Sequence, residues 1–366
     1  MDRTVNRNTD ITYWTITTKS TFKDPDLVLQ VDFAVLFCGN RTISRGLTQP
    51  SGFHGSGGGQ TRGNLVTIVI LSRGRCGLSS CVTRYMMGMA VTDLLVLITA
   101  VILNRIRAIY FPLSFLSITP VCSIRIALIY ASRDSSVWLT VAFTFDRFIA
   151  ICCQKLKTKY CTERTALVVI IMVCTLSCAK NIPRYLIYEP LYILNDLPWF
   201  CNIKLSFHSD IFWIAFDCID YILIPCAPFV LILLLNALTV RHILVANSAR
   251  RRLRAKNNGG KQSDAEVNNR KKSIILLFAI SGSFILLWTA RVVNFLYVRF
   301  TNSSYSVGSN PNDPKFILQE SGIMLQLLSC CTNTCIYAGT QKKIREEFRS
   351  MLKDSVNRLL KIIITK

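Results

Sequence analysis

Pro120-Val-Cys122-Ser-Ile-Arg-Ile-Ala-Leu-Ile-Tyr130-Ala-Ser-Arg-Asp134-Ser-Ser136-Val-Trp-Leu-Thr-Val-Ala-Phe-Thr-Phe-Asp146-Arg147-Phe148 is the stretch from which the rest of the chain is read. It lies in an apolar run, 119–153, that exceeds the ~20 residues needed to cross a bilayer core. As one helix, the 25 residues from Cys122 to Arg147 span roughly 37 Å, so one stands at the outer membrane face and the other at the inner. The whole composition agrees. The chain has 366 residues, 51% of them hydrophobic and only 17% charged, with a mean hydropathy of +0.37. A soluble chain carries about a quarter charged residues, so a soluble enzyme, a disordered chain and a collagen are excluded. The net charge of +22 does not imply nucleic acid, because the basic residues sit between apolar runs, where membrane topology accounts for them. Most of the fifteen cysteines lie inside apolar runs or basic loops, which is no disulfide framework.

Five more spans follow on either side, at roughly 81–104, 163–183, 210–246, 268–299 and 315–339. A first span is expected near Asn64-Leu-Val-Thr-Ile-Val-Ile-Leu71, yet this covers only about 12 Å of helix. Ser51–Arg62 is too polar and glycine-rich to extend it, and Asp26–Cys38 is short and interrupted by Gln30 and Asp32. The expected fold is an all-α, seven-transmembrane helix bundle whose first helix is incomplete. Its divisions are an extracellular segment 1–63, a bundle 64–339, and a cytosolic amphipathic helix and tail 340–366. Met1–Ser20 lacks a secretory h-region, so orientation comes from the loops. Ser72–Ser80, Gln154–Arg164, Arg241–Lys272 and the tail hold most of the Lys and Arg, which puts them inside and the N-terminus outside. The sequons at Asn40 and Asn302 then fall outside as glycosylation candidates.

Cys122 at an oxidising face needs a partner, and the outward loop Pro183–Asp210 holds a single cysteine, Cys201. A Cys122–Cys201 disulfide would pin that loop across the bundle mouth; the alternative is two unpaired thiols. Asp146-Arg147 alone would read as an interfacial charge pair. Combined with Cys122 at this rise, the stretch resembles the third helix of rhodopsin-like (class A) G-protein-coupled receptors, with Phe148 in place of their usual tyrosine. The resemblance covers about residues 64–352. Gly63-Asn64 is similar to the first-helix asparagine, Met89-Ala-Val-Thr-Asp93-Leu-Leu to the second-helix motif, and Pro225 or Pro228 to the fifth-helix proline. Phe284-Ile-Leu-Leu-Trp288 resembles the sixth-helix aromatic pair, and Thr332-Asn333-Thr334-Cys335-Ile336-Tyr337 the seventh-helix signature with Thr334 replacing proline. Ala290 also stands where the family has a proline, and the fourth helix lacks tryptophan. Within the family, Ile224-Pro225-Cys226, Leu287-Trp288-x-x-Arg291 and Thr332-Asn333-Thr334 look most like the orphan receptors numbered 139 and 142. That likeness implies aromatic amino acids or peptides as ligands and the Gq class as output.

A carboxylate at mid-membrane is costly unless paired, so Asp93 marks a functional site. The resemblance joins it with Ser136, Ser329 and Asn333, which would hold an allosteric sodium ion through hard oxygens. The alternative is a protonated Asp93 bonded to Asn64 and Asn333; no other cofactor is expected. Arg291, one turn outside Trp288, suits bidentate capture of a ligand carboxylate, unless it pairs internally with Asp134. Ile129, Tyr130, Asp134, Trp288, Arg291 and Phe295 are the ligand-binding candidates, and Ile129 argues against an aminergic ligand. Asp146, Arg147, Phe148 and Tyr337 are the candidates for coupling to a heterotrimeric G protein, aided by the basic loop around Arg250–Lys272. Ile344, Phe348 and Met351–Leu352 line one side of a helix lying on the bilayer. The expected protein is thus a multi-pass plasma-membrane receptor for an extracellular small molecule or peptide, without catalysis. A transporter would show repeats with broken midplane helices, and no such symmetry is visible. The three histidines, His54, His208 and His242, are too scattered for an enzyme's metal site. A non-functional receptor copy with a truncated first helix is the remaining alternative.

Overall fold

The computed structural model describes residues 59–74, 77–256, 264–301 and 314–350. The sequons at Asn40 and Asn302, the centre of the basic loop and Met351–Leu352 lie outside these residues. Seven helices carry the architecture: α1 (Gly59–Ser72), α2 (Ser80–Ile106), α3 (Thr119–Cys152), α4 (Glu163–Asn181), α5 (from Ile211 to Lys256), α6 (Asp264–Phe300) and α7 (Pro314–Thr340). A further helical segment occupies 342–350.

Local chemistry sets the ends. Ser79 caps α2 by accepting from the Val82 amide, Thr162 caps α4 through the Thr165 amide, and Asp210 caps α5 through the Phe212 amide. Pro120 occupies the first turn of α3, where its missing N–H costs nothing. Wide π-helical turns interrupt α2 at Leu97–Ile106 and α5 at Ile222–Cys226, the latter around Pro225, which removes a backbone donor. By contrast α6 runs 37 residues and α7 27 residues without a break, as Ala290 and Thr334 permit.

Among the described residues five segments are long and apolar enough to cross a membrane: Ser80–Ile106, Thr119–Cys152, Glu163–Ile187, Ile211–Ala246 and Lys271–Val298. The sequence led us to expect six. The sixth, α7, is long enough but diluted by polar residues, because Gln326, Asn333 and Thr334 are buried inward instead of facing lipid. The described part of the first helix, Gly59–Ser72, is 14 residues, about 21 Å against a hydrocarbon core of ~30 Å, and it begins inside Ser51–Arg62, which by sequence alone reads as too polar and glycine-rich to extend it. On α4, Val168, Ile171, Met172 and Leu176 are exposed, the sheath that a bilayer covers.

Met86, Met89, Leu139, Phe143, Leu276 and Tyr337 form one core that also receives Ile344 from the 342–350 segment. A Cβ on Gly88 would stand 3.2 Å from Ile170, so glycine there sets the close approach of α2 and α4. At the end of the bundle that holds Cys122, β1 (Tyr188–Glu189) pairs with β4 (Asn202–Ile203), and β2 (Tyr192–Leu194) pairs with β3 (Leu197–Trp199). The second hairpin turns at Asn195 and Asp196, whose φ of 51° and 59° is the left-handed pair a two-residue turn demands.

Candidate functional site

The loop that carries β1 to β4 is fastened to the start of α3 and the residues just before it in three ways. Cys122 and Cys201 form the disulfide, with Cα atoms 6.2 Å apart. The Phe200 amide donates to the Ser117 carbonyl at 2.7 Å, and the Thr119 hydroxyl donates to the Phe200 carbonyl at 2.7 Å.

Below this lid the sequence-based pocket residues divide. Trp288 is buried and stacked on Phe284 at 5.2 Å between ring centroids, and both pack against Val137 and Val141 of α3 and Ile224 of α5. Phe295 stacks on Tyr221 of α5 at 4.9 Å. Arg291 is half-buried, and its stem packs against α7, where a Cβ on Gly322 would be 3.1 Å from its Cδ. Ile129 is half-buried on α3. Tyr130 and Asp134 belong to a different cluster.

That cluster was missed in the sequence. Asp134 accepts from Arg133 (3.0 Å) and from the Asn181 amide (2.7 Å), and pairs with Lys180 at 2.6 Å. Asp220 of α5 pairs with Arg133 at 3.3 Å, with Lys180, and with Arg184 at 2.6 Å, the last contact lacking the alignment of a hydrogen bond. The Tyr130 ring lies under the guanidiniums of Arg184 (3.6 Å) and Arg133 (4.4 Å). Three cations thus share two carboxylates between α3, α4 and α5. The internal Arg291–Asp134 pair is therefore not formed, since Asp134 is engaged elsewhere. Among the described residues no carboxylate pairs with Arg291. The signal was available: Arg133, Lys180 and Asp220 are ionisable groups within apolar spans, as conspicuous as Asp93.

Deeper in the bundle Asp93 is fully buried. It accepts from the Ser136 hydroxyl at 2.5 Å and from the Asn333 amide at 2.9 Å. Asn64 does not reach it. Instead Asn64 donates to the Cys330 carbonyl at 3.1 Å and accepts from the Thr334 hydroxyl at 2.6 Å, which ties α1 to α7. A cavity of about 10 Å³, the room of one water, is lined by Ser136, Ser329, Asn333 and Trp288. As donors for a small cation these residues fit in part. Asp93 and Ser136 present adjoining oxygens, whereas the Ser329 hydroxyl donates to the Gln326 carbonyl and accepts from Trp288 Nε1 at 3.2 Å.

At the end of the bundle away from the disulfide Arg147 is buried and bonded to Asp146 through Nε at 3.0 Å, and reaches Ser273 of α6 at 3.4 Å. The Cys81 thiol donates to Asp146 Oδ1 at 3.1 Å. Cys161 donates to the Asp146 carbonyl at 3.6 Å; burial, then Asp146, pushes its thiol up to about 12. Phe148 lines a groove of about 320 Å³ with Cys152, Leu238 and Val245. Tyr337 is not brought to Arg147; it is buried with its hydroxyl 4.0 Å from Met89 Sδ.

Residues 63–337 match the model of the 7 transmembrane receptor (rhodopsin family). Among curated relatives, the FMRFamide receptor of Drosophila melanogaster is 24% identical over 216 residues, 52% of this chain, and the match spans only 36% of the fly protein. The C-C chemokine receptor type 1 of Macaca fascicularis is 22% identical over 291 residues, covering 79% of this chain and 75% of that receptor. With its helical bundle and disulfide-fastened loop, the chain belongs to the rhodopsin family of seven-transmembrane receptors.

Proposed function

We propose that the protein is a cell-surface receptor for an extracellular peptide or small ligand bearing an acid group, and that it activates heterotrimeric G proteins. The carrying observation is Arg291, half-buried one turn outside the Trp288–Phe284 stack while Asp134 is taken by other partners. A cation so placed favours a ligand carboxylate. The disulfide supports an outward-facing lid, since such bonds persist in oxidising compartments. That orientation leaves Asp146-Arg147 on the cytosolic side, to meet the G protein. The likeness to the orphan receptors numbered 139 and 142 favours an aromatic amino acid or peptide and the Gq class. We further infer a sodium ion at Asp93 and Ser136, which would stabilise the carboxylate's charge and hold α2 against α3.

The fly relative is named for a peptide amide, which favours a second reading in which Arg291 meets an amide carbonyl. Short peptides screened as matched free acids and C-terminal amides decide between them. If the acid reading holds, Arg291→Lys weakens free acids by about 1–3 kcal/mol and barely affects amides. Equal losses for both series would favour the amide reading. Arg147→Ala should abolish G-protein activation while surface expression is kept; wild-type signalling would reduce Asp146-Arg147 to an interfacial charge pair.

A further inference from the structure

Three buried side-chain atoms without hydrogen-bond partners lie at the neighbouring ends of α2 and α3 and in the turn that joins them: Arg107 Nε, Ser114 Oγ and Arg125 Nε. Arg125 is only 5% exposed, one turn inward of the disulfide. Its remaining nitrogens meet neutral acceptors, Asn104 Oδ1 and, at 3.1 Å, Cys122 Sγ. Arg107, in the last turn beyond α2, likewise donates only to the Ser117 hydroxyl, which itself donates to the Pro112 carbonyl at 2.5 Å. Asn104, which Arg125 meets, stands one turn before Arg107 along the same continuing helix, so the two guanidiniums are neighbours. Among the described residues no ion pair joins either guanidinium to a carboxylate: Glu320 pairs with Arg105 at 3.0 Å, and Asp134 and Asp220 pair with Arg133, Lys180 and Arg184. Tyr188 lies near Arg125 but supplies no charge, because burial, reinforced by Tyr130, pushes its phenol up and keeps it neutral.

A buried guanidinium, Arg125, beside the half-buried Arg107 and without a counter-ion is unfavourable, and each already uses its neutral acceptors. What this corner lacks is an acceptor carrying negative charge and more than one oxygen. We propose that Arg107, Ser114 and Arg125 form an oxyanion-binding site at the outer ends of α2 and α3, taking a carboxylate, sulfate or phosphate group. One oxygen would accept from Arg125 Nε and another from Arg107 Nε, with the Ser114 hydroxyl as third donor. The site is separate from Arg291 and does not depend on the ligand reading given for it. Its anion is either an acid group carried on a larger ligand or a free inorganic oxyanion.

The test is thermal unfolding of the full-length protein in nanodiscs, titrated with sodium sulfate or sodium acetate against sodium chloride of equal ionic strength. A bound anion raises the midpoint saturably, by about 2–4 °C, whereas general exclusion of sulfate from protein surfaces gives only a non-saturating rise. The saturable part should vanish in Arg125→Gln and shrink in Arg107→Gln. Saturation by sulfate alone supports the inorganic source, and saturation by acetate as well supports an acid group on a ligand. Absence of any saturable shift in the wild type overturns the site whether or not the variants fold. So does a shift of unchanged size in Arg125→Gln.

Discussion

The bundle holds two buried polar clusters that solve the same problem differently. Around Asp93 a single carboxylate is met by neutral donors, Ser136 and Asn333, while Asn64, Thr67 and Thr334 bond among themselves nearby. Toward the outside, Asp134 and Asp220 are met by full charges, those of Arg133, Lys180 and Arg184. Neutral donors satisfy a carboxylate's lone pairs and leave its charge available to a mobile cation. Charged partners neutralise it and make each member dependent on the rest. The inner cluster is therefore suited to ion or proton exchange, and the outer one to holding α3, α4 and α5 in register.

The largest expected effect lies in the outer cluster. Asp220→Asn leaves three cations facing Asp134 alone, and loss of one partner from a buried ionic set costs about 3–5 kcal/mol. The thermal midpoint and the surface-expressed fraction should both fall sharply. Adding Arg184→Gln to Asp220→Asn should recover a large part of the loss, because it removes the charge left over. A fall of under about 1 kcal/mol in the single variant would show the cluster to be solvated, and the contrast between the clusters would collapse.

The two clusters also differ in how readable they were. Asp93, Ser136 and Asn333 were named from sequence because each sits in an ordered landmark, so a resemblance assembles them. Arg133, Lys180, Arg184 and Asp220 belong to no such landmark. They come from three helices, and nothing in the spacing of residues 133, 180, 184 and 220 says that they meet; only the packing of α3 against α4 and α5 does. The helices were legible to within a few residues because apolar runs of ~20 residues have few alternatives. The count of apolar spans was not, because α7 spends its inward face on polar bonds. The likeness to the family's seventh-helix signature pointed to Thr334 as a missing kink proline. The hydroxyl it brings instead, donating to Asn64 Oδ1, requires the three-dimensional pairing of α1 with α7.

That pairing gives the intermediate effect. Thr334→Val keeps the shape of the side chain, removes the donor to Asn64 and leaves a buried acceptor unsatisfied, at about 1–3 kcal/mol. Since Asn64 ties α1 to α7, the loss should appear first as faster proteolysis or hydrogen exchange in Gly59–Ser72, ahead of the bundle. Unchanged exchange there would show that α1 is held by its apolar contacts, chiefly Ile70 and Leu71, without help from this bond.

Asp93→Asn should have the smallest effect on stability and the most informative one. An asparagine keeps an oxygen to accept from Asn333 or Ser136, so the neutral part of the cluster survives, at a cost of about 1 kcal/mol or less. What disappears is the charge. If the inner cluster takes sodium, the wild-type midpoint should rise when potassium is exchanged for sodium at constant chloride, and the variant should show no difference between the two salts. The outer cluster supplies the control: its carboxylates are already neutralised, so Asp220→Asn should retain whatever sodium response the wild type has. A wild type indifferent to the cation would instead identify Asp93 as a protonated hydrogen-bonding hub. The clusters would then differ in the origin of their partners but not in their openness to ions.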